Sequence, residues 1–307
     1  MKFAELTDSI KDNYLKLGSD EKLSRLILDK TLSLKGVGIS ETFALYFQNP
    51  EGFSNLKGII PQRDLFKSNF TAKENAKIYY LPQLKVQLSY QDGENWRSIA
   101  NAPEDIKIAI NKNEIPTKEN LFLKWDIFYN IDETTMTEID KKRFLFSPIR
   151  AKNTETIYNL FSSYAKNLGI NILEENLNAI NLNSFFDKSK LEIKINSSLS
   201  PVEKTKSFIS SFADFIVTKT STQPQECLKN EQILLNASLN KLCGYQSDLS
   251  GFDFSKLNES NTISSIFRAK RATDDISSKI NEMFLEQSQV QNTEIAQKIS
   301  QNFMQDI

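Results

Sequence analysis

The chain of 307 residues contains no histidine. Histidine is the only side chain whose unperturbed pKa places its change of charge near neutral pH, and it is the commonest metal ligand. Its absence excludes Ser-His-Asp and Cys-His nucleophile pairs and removes the usual ligands of zinc and non-haem iron sites. Carboxylate and lysine chemistry remains open, as does a protein without a catalytic role.

Glycine and cysteine are also scarce. The nine glycines fall well below the usual fraction of about 7%. Neither the glycine-rich motif of Rossmann folds nor that of P-loop proteins occurs, so we predict no nucleotide cofactor. The only cysteines, Cys227 and Cys243, are expected to be reduced thiols in a cytoplasmic protein.

Long apolar runs are absent as well. No stretch approaches the roughly 20 apolar residues that span a bilayer, and the first residues carry an acid where a signal peptide would be apolar. We therefore expect a cytoplasmic protein that does not contact a membrane.

Helical signals are strongest in the second half of the chain. The sequence Ser-Pro-Val-Glu at 200–203 is a capping box with proline at the first helical position. It predicts a helix over 201–217 whose buried face consists of Phe208, Phe212, Phe215 and Ile216.

The clearest β signal lies near residues 84–99. Apolar residues at 84, 86, 88 and 90 alternate with polar ones, and Asp92-Gly93 is typical of a hairpin turn. Pro82 predicts an edge position or a strand start. We predict an α-rich α+β fold, with helical N- and C-terminal regions around a small mixed centre. A polar segment at 218–225 divides a main domain over 1–217 from a helical C-terminal region over 226–307.

The densest basic stretch covers residues 141–152. It holds five positive charges, no acid and two interleaved phenylalanines: Lys141, Lys142, Arg143, Phe144, Phe146, Arg150 and Lys152. Such clusters attract phosphate backbones, and exposed aromatic rings stack on unpaired bases. The alternative is that the cations only solvate a surface while both rings point into the core.

A second basic cluster, Arg268, Lys270 and Arg271, lies on a predicted helix. Arg268 and Arg271 are three residues apart and share one face. We expect this cluster to support the phosphate contacts of the first.

The C-terminal segment 272–307 is acidic, with six carboxylates against two lysines. Its net charge of −4 leaves +3 on residues 1–271, because the whole chain carries −1. Ile295, Ile299 and Phe303 form a thin apolar stripe. Such a tail either docks on a neighbouring subunit or packs on its own domain.

The leading hypothesis is a non-enzymatic, self-associating protein that binds nucleic acid, RNA more than DNA, without sequence preference. The eight basic residues of the two clusters would contact phosphates, the acidic tail would link subunits, and no catalytic or metal-binding residue is assigned. The layout of helical arms, compact core and central basic stretch resembles viral nucleocapsid or filamentous coat proteins. That resemblance implies a viral structural role.

Two alternatives remain. The strand Leu191–Ile195 matches the hydrophobic-Glu-x-Lys pattern of PD-(D/E)xK nucleases, in which Glu192 would hold Mg²⁺ and Lys194 would orient water. Asp187 lies close upstream, too near for a separate strand to be expected. The other alternative is a bacterial or phage accessory protein that acts through protein–protein contacts.

Overall fold

The computed structural model describes residues 8–10, 12–14, 16–146, 148–221, 225–257 and 259–305. Side chains are described for these residues except 84–87, 119–123, 225–227, 288 and 290–305. Helices and two separate sheets make up the described chain, which confirms the predicted α-rich α+β class.

Helices lie at both ends of the described chain, and strands and further helices lie between them. The helices are α1 (Glu21–Ser33), α2 (Ile39–Gln48), α3 (Gln62–Lys67), α4 (Glu104–Asn111), α5 (Glu138–Lys141), α6 (Thr154–Asn167), α7 (Pro201–Thr220), α8 (Gln225–Leu242) and α9 (Ser260–Gln305). The strands are β1 (Ile59–Pro61), β2 (Ile78–Asp92), β3 (Asn95–Ser98), β4 (Thr117–Asn130), β5 (Asn171–Glu175), β6 (Ser184–Asp187) and β7 (Glu192–Asn196).

The chain divides into two compact units. The ribbon unit comprises Ser40–Phe144, and the larger unit comprises the residues up to Ile39 together with those from Leu145 onward. The segment 218–225, expected from its composition to separate two domains, lies within the larger unit. There it joins α7 to α8, two helices that contact each other.

The ribbon unit is built on an antiparallel sheet with the order β1-β4-β2-β3. Long strands β2 and β4 pair from Ile78 opposite Tyr129 to Tyr90 opposite Thr117. The predicted hairpin is confirmed, because β3 returns along β2 after a turn at Gly93, whose φ of 61° suits a residue without a Cβ. Pro82 pairs with Trp125 of β4 on one side, and β3 pairs with β2 only at 89–92, so at Pro82 the described β2 is an edge strand, as predicted.

The larger unit packs helices against a three-stranded sheet of order β5-β7-β6. Ser200 and Glu203 form the predicted capping box at the start of α7. The predicted buried face of this helix is confirmed at all four positions: Phe208, Phe212, Phe215 and Ile216. Phe212 meets Phe161 of α6 edge to face at 6.0 Å between ring centroids, an arrangement that aromatic quadrupoles favour.

Helix α9 has 46 residues and is about 69 Å long. It packs on α8 and α6, and its buried side chains extend as far as Ile280. The side chains of Ile295, Ile299 and Phe303 lie outside those described, so docking of the tail on another subunit stays a prediction. Among the helices of the described part, none combines the length and apolar character needed to cross a membrane.

Candidate ligand-binding cleft

The predicted basic stretch begins in the ribbon unit with residues in different environments. The Lys141 side chain is 9% exposed, and its Nζ lies 2.6 Å from Glu138 Oε1 and 3.6 Å from Asp132 Oδ1. The hydrogen bond to Glu138 raises the pKa of Lys141. Lys142 and Arg143 are exposed. Lys141 therefore holds α5 together, while its two neighbours face solvent.

This difference separates a structural from a binding role. We expect Lys141→Ala to lower the free energy of unfolding of the ribbon unit by about 1–2 kcal/mol, because the hydrogen bond and ion pairs of a buried ammonium are lost. Lys142→Ala is the matched control and should stay within about 0.5 kcal/mol of the parent. Urea unfolding followed by circular dichroism measures both, and equal effects would contradict the assignment.

The remaining predicted basic residues lie in the larger unit. Arg150, Lys152 and Arg271 are exposed. Arg268 reaches across from α9 to α8, where its Nε and Nη2 donate to Glu231 Oε2 at 2.9 and 2.8 Å. The Glu231 side chain is only 3% exposed. Arg268 thus neutralises a buried carboxylate between two helices.

Lys270 is also engaged within the molecule. Its Nζ donates to the carbonyl oxygens of Thr31 and Leu34, each at 2.7 Å, and to that of Val37. These carbonyls lie at and just beyond the C-terminal end of α1, where backbone acceptors lack helical partners. Contact between the eight basic residues and phosphate stays a prediction. Those of the eight that are exposed lie at the surface, where a phosphate group could reach them.

The sheet of the larger unit holds the residues of the nuclease alternative. Asp187 does lie on a separate strand, β6, and pairs with Glu192 of β7 across a short turn. Lys194 Nζ lies 3.1 Å from a carboxylate oxygen of Glu175. The carboxylate of Asp187 accepts hydrogen bonds from Ser189, which lower its pKa. No group of three or more potential metal ligands occurs among the described residues, and the nuclease alternative stays untested.

A polar cleft lies elsewhere in the larger unit, with a volume of about 360 Å³. Four segments line it: α7, α8, the start of β6 and the loop after α8. Its lining consists entirely of hydrogen-bonding residues: Asn183, Ser184, Lys206, Ser207, Ser210, Asn236, Asn240, Gln246 and Asp248.

Helical spacing explains why these polar residues converge. Ser207 and Ser210 are three apart on α7, and Asn236 and Asn240 are four apart on α8, so each pair lies on one side of its helix. The apolar side of α7 is occupied by the phenylalanine core. The polar flanks of both helices are therefore left to line the cleft.

Hydrogen bonds between serines fix the wall at β6. Ser184 Oγ donates to the Ser207 carbonyl oxygen at 2.6 Å, and Ser211 Oγ donates to Ser184 Oγ at 2.7 Å. The hydroxyl of Ser184 is thereby used within the protein. Helix α7 and strand β6, which both line the cleft, are thus hydrogen-bonded to each other, which favours a preformed site.

Asn240 is the most informative residue of the lining. It is only 5% exposed, and its Nδ2 donates to both the carbonyl oxygen and the Oδ1 of Asn236 at 2.9 Å. Its Oδ1 is buried and has no hydrogen-bond partner among the described residues. Buried polar atoms are rarely left unpaired, because desolvation without a partner costs about 1–3 kcal/mol. Asn240 therefore brings an unpaired acceptor to the cleft lining, although this oxygen is closed to water in the structure.

The charges of the cleft lie at its exposed rim. Lys206 is exposed, and its Nζ lies 5.4 Å from the ring centroid of Tyr245. Asp248 is exposed too, and hydrogen bonds from Ser250, helped by the charge of Arg25, lower its pKa. One cation and one anion balance each other there, while the deeper lining is neutral.

Asp214 lies one turn beyond Ser210 on the same side of α7. Burial raises the pKa of its carboxyl group to about 6. The folded state thus disfavours the charged form, so stability is lost as the pH rises from the unfolded-state pKa near 4 through about 6.

We expect Asp214→Asn to remove this loss. At pH 7 the variant should be more stable by about 1–2 kcal/mol, allowing for the partial solvent exposure of the side chain. Thermal unfolding between pH 4 and 8 measures the effect, and Asp275→Asn, an exposed carboxylate on α9, is the control. An unchanged pH profile in Asp214→Asn would contradict the assignment.

The cleft was not predicted from the sequence. Its serines and asparagines carry no motif, and polar residues on a helix usually indicate a solvated face. The one signal in the sequence was the helical spacing of the two serines on α7 and of the two asparagines on α8. That spacing indicates a shared cleft when α7 and α8 are known to contact each other.

Neither a family model nor a curated protein sequence matches this chain. The chain is similar to crystal structures of the antirestriction protein ArdC from plasmid R388. The metal-free structure has a TM-score of 0.46 and 10% identity, over 80% of this chain and 85% of that one. The Mn(II)-bound structure has a TM-score of 0.43 and 10% identity, over 79% and 84%. At these values neither the activity nor the metal in those titles carries over to this chain.

The prediction of a viral nucleocapsid or coat protein is wrong, because these similar solved structures are plasmid antirestriction proteins. The arrangement of helical arms around a compact core does not identify a function, since it occurs in many unrelated folds. The bacterial or phage accessory-protein alternative agrees with the neighbours at that coarse level only.

Proposed function

We propose that this chain is a non-enzymatic binding protein, of the accessory kind named as an alternative above, and that the Asn240 cleft is its ligand site. The observation that carries the proposal is a cleft lined throughout by hydrogen-bonding side chains, among them Asn240, whose buried Oδ1 has no partner among the described residues. Small-molecule sites are usually lined by apolar side chains with a few polar groups, so a lining that is polar throughout points to a polar ligand.

The chemistry of the lining supports binding over catalysis. Its titratable side chains are one ammonium, Lys206, and one carboxylate, Asp248, and the pKa of that carboxylate is lowered. An efficient general acid or base has a pKa near the working pH, which a lowered carboxyl pKa does not provide. The other lining groups are amides and hydroxyls, which orient a ligand by hydrogen bonding.

Filling the cleft tests the proposal. Ser210→Leu places a larger apolar side chain on the α7 wall, whereas Ser278→Leu makes the same change on an exposed face of α9. The probes are glucose, galactose, ribose, N-acetylglucosamine, serine, glutamine and glutamate, measured by saturation-transfer NMR on the full chain.

We expect at least one probe to bind the parent and Ser278→Leu with similar affinity, and to bind Ser210→Leu at least about tenfold more weakly. Both variants should keep the circular dichroism spectrum of the parent. Binding of no probe at tens of millimolar, or binding that Ser210→Leu leaves intact, would overturn the proposal.

A further inference from the structure

The inference concerns the ligand class and rests on the function proposed above. We propose that the Asn240 cleft takes a neutral, polyhydroxylated ligand of about monosaccharide to disaccharide size. Three features of the cleft lead to this class: the depth at which charge is placed, the dual character of the lining groups, and the volume.

Charge is confined to the rim. Lys206, Gln246 and Asp248 are exposed, whereas the deeper residues Ser207 and Ser210 are half-buried and uncharged. A charged ligand group in the deep part would lose its hydration without gaining an opposite charge, which is unfavourable. The deep part of the cleft therefore favours an uncharged ligand.

The deep lining both donates and accepts hydrogen bonds. Each serine hydroxyl offers one donor and two acceptor sites, and each asparagine amide offers both kinds of group. Ser207 and Ser210 make no hydrogen bond through their hydroxyls to other described residues, so both are open to a ligand. Hydroxyl groups are the ligand groups that match such a surface at every position, because they too donate and accept.

Asn240 fixes the direction of one contact. Its Nδ2 is already engaged by Asn236, so only the Oδ1 remains, and it accepts. Because this oxygen is closed to water in the structure, a ligand donor reaches it when the Asn240 side chain turns toward the cleft. A ligand hydroxyl can donate there and still accept from a neighbouring serine.

The size of the cleft agrees with this class. A volume of about 360 Å³ lies at the lower end of the range for small-molecule sites, about 300–1,000 Å³. The ring of Tyr245, which precedes the lining residue Gln246, lies 5.4 Å from the Nζ of Lys206. A ligand of one or two sugar rings fits these dimensions, and its polar edges would meet polar groups on each wall.

The test compares the neutral and charged probes on the parent, Ser210→Leu, Asn240→Leu and the control Ser278→Leu. Asn240→Leu removes the acceptor while keeping a side chain of similar size. We expect at least one of the four sugars to bind the parent, to lose at least about tenfold in affinity in both cleft variants, and to keep its affinity in Ser278→Leu. Glutamate should not bind in the cleft.

The outcomes separate the two proposals. If serine, glutamine or glutamate binds with the same dependence on Ser210 while no sugar does, the ligand class is wrong and the binding function stands. If a sugar binds but neither cleft variant weakens it, the sugar binds elsewhere and both proposals fail. If nothing binds, both proposals fail. Should Asn240→Leu unfold, Ser210→Leu alone decides between these results.

Discussion

Replacing Arg268 by methionine is expected to destabilise the larger unit by about 3 kcal/mol or more. The substitution leaves the carboxylate of Glu231 buried between α8 and α9 without its cation. Ser221 still donates to the same oxygen at 3.0 Å, but one hydroxyl does not replace two charged N–H donors. Removing one partner of a buried pair costs about 3–5 kcal/mol, because the remaining charge is left desolvated.

The measurement is chemical unfolding of Arg268→Met followed by circular dichroism. Glu231→Leu/Arg268→Met should recover most of the lost stability, since no charge then remains buried. Arg271→Met, three residues along the same helix and exposed, should change stability by less than about 0.5 kcal/mol. Equal effects at Arg268 and Arg271 would show that the buried contact contributes nothing.

Replacing Lys270 by methionine is expected to cost about 2–3 kcal/mol. The ammonium group satisfies three backbone carbonyls at and beyond the end of α1, and these acceptors have no helical donors. Hydrogen bonds to a charged group contribute about 1.5–3 kcal/mol each, but partial access of water to the freed carbonyls reduces the sum. We therefore expect α1 to loosen from α9.

Hydrogen exchange with mass spectrometry locates this effect. Amides of α1 and of the segment after it should exchange faster in Lys270→Met, while β5 to β7 should not change. Lys279→Met, whose side chain is 60% exposed and pairs only with an exposed glutamate among the described contacts, is the control. Unchanged exchange in α1 would contradict the role given to Lys270.

Local signals in the sequence predicted local structure well. The Ser200–Glu203 capping box, the Asp92-Gly93 turn and the phenylalanine spacing of α7 each act through neighbours within one or two turns, and all three are confirmed. Such signals depend on backbone geometry and on one buried face, which the sequence displays directly.

Contacts between segments that are distant in the sequence could not be predicted from such local signals. Arg268 and Lys270 were predicted as surface cations because their charges were counted without their partners, which lie 37 and more than 230 positions away. Asp187 was placed too near Glu192 for a separate strand, yet a tight turn accommodates both strands. The cleft arises from four separate segments and so left no continuous pattern.

The central claim is that the Asn240 cleft binds a small polar ligand. Its most direct test is a ¹H–¹⁵N spectrum of asparagine-labelled protein titrated with the probes named above. We expect the side-chain amide signals of Asn236 and Asn240 to shift with a saturating probe, while that of Asn178, which lies outside the cleft lining, stays in place. Unmoved signals from Asn236 and Asn240 at tens of millimolar of every probe would contradict the claim.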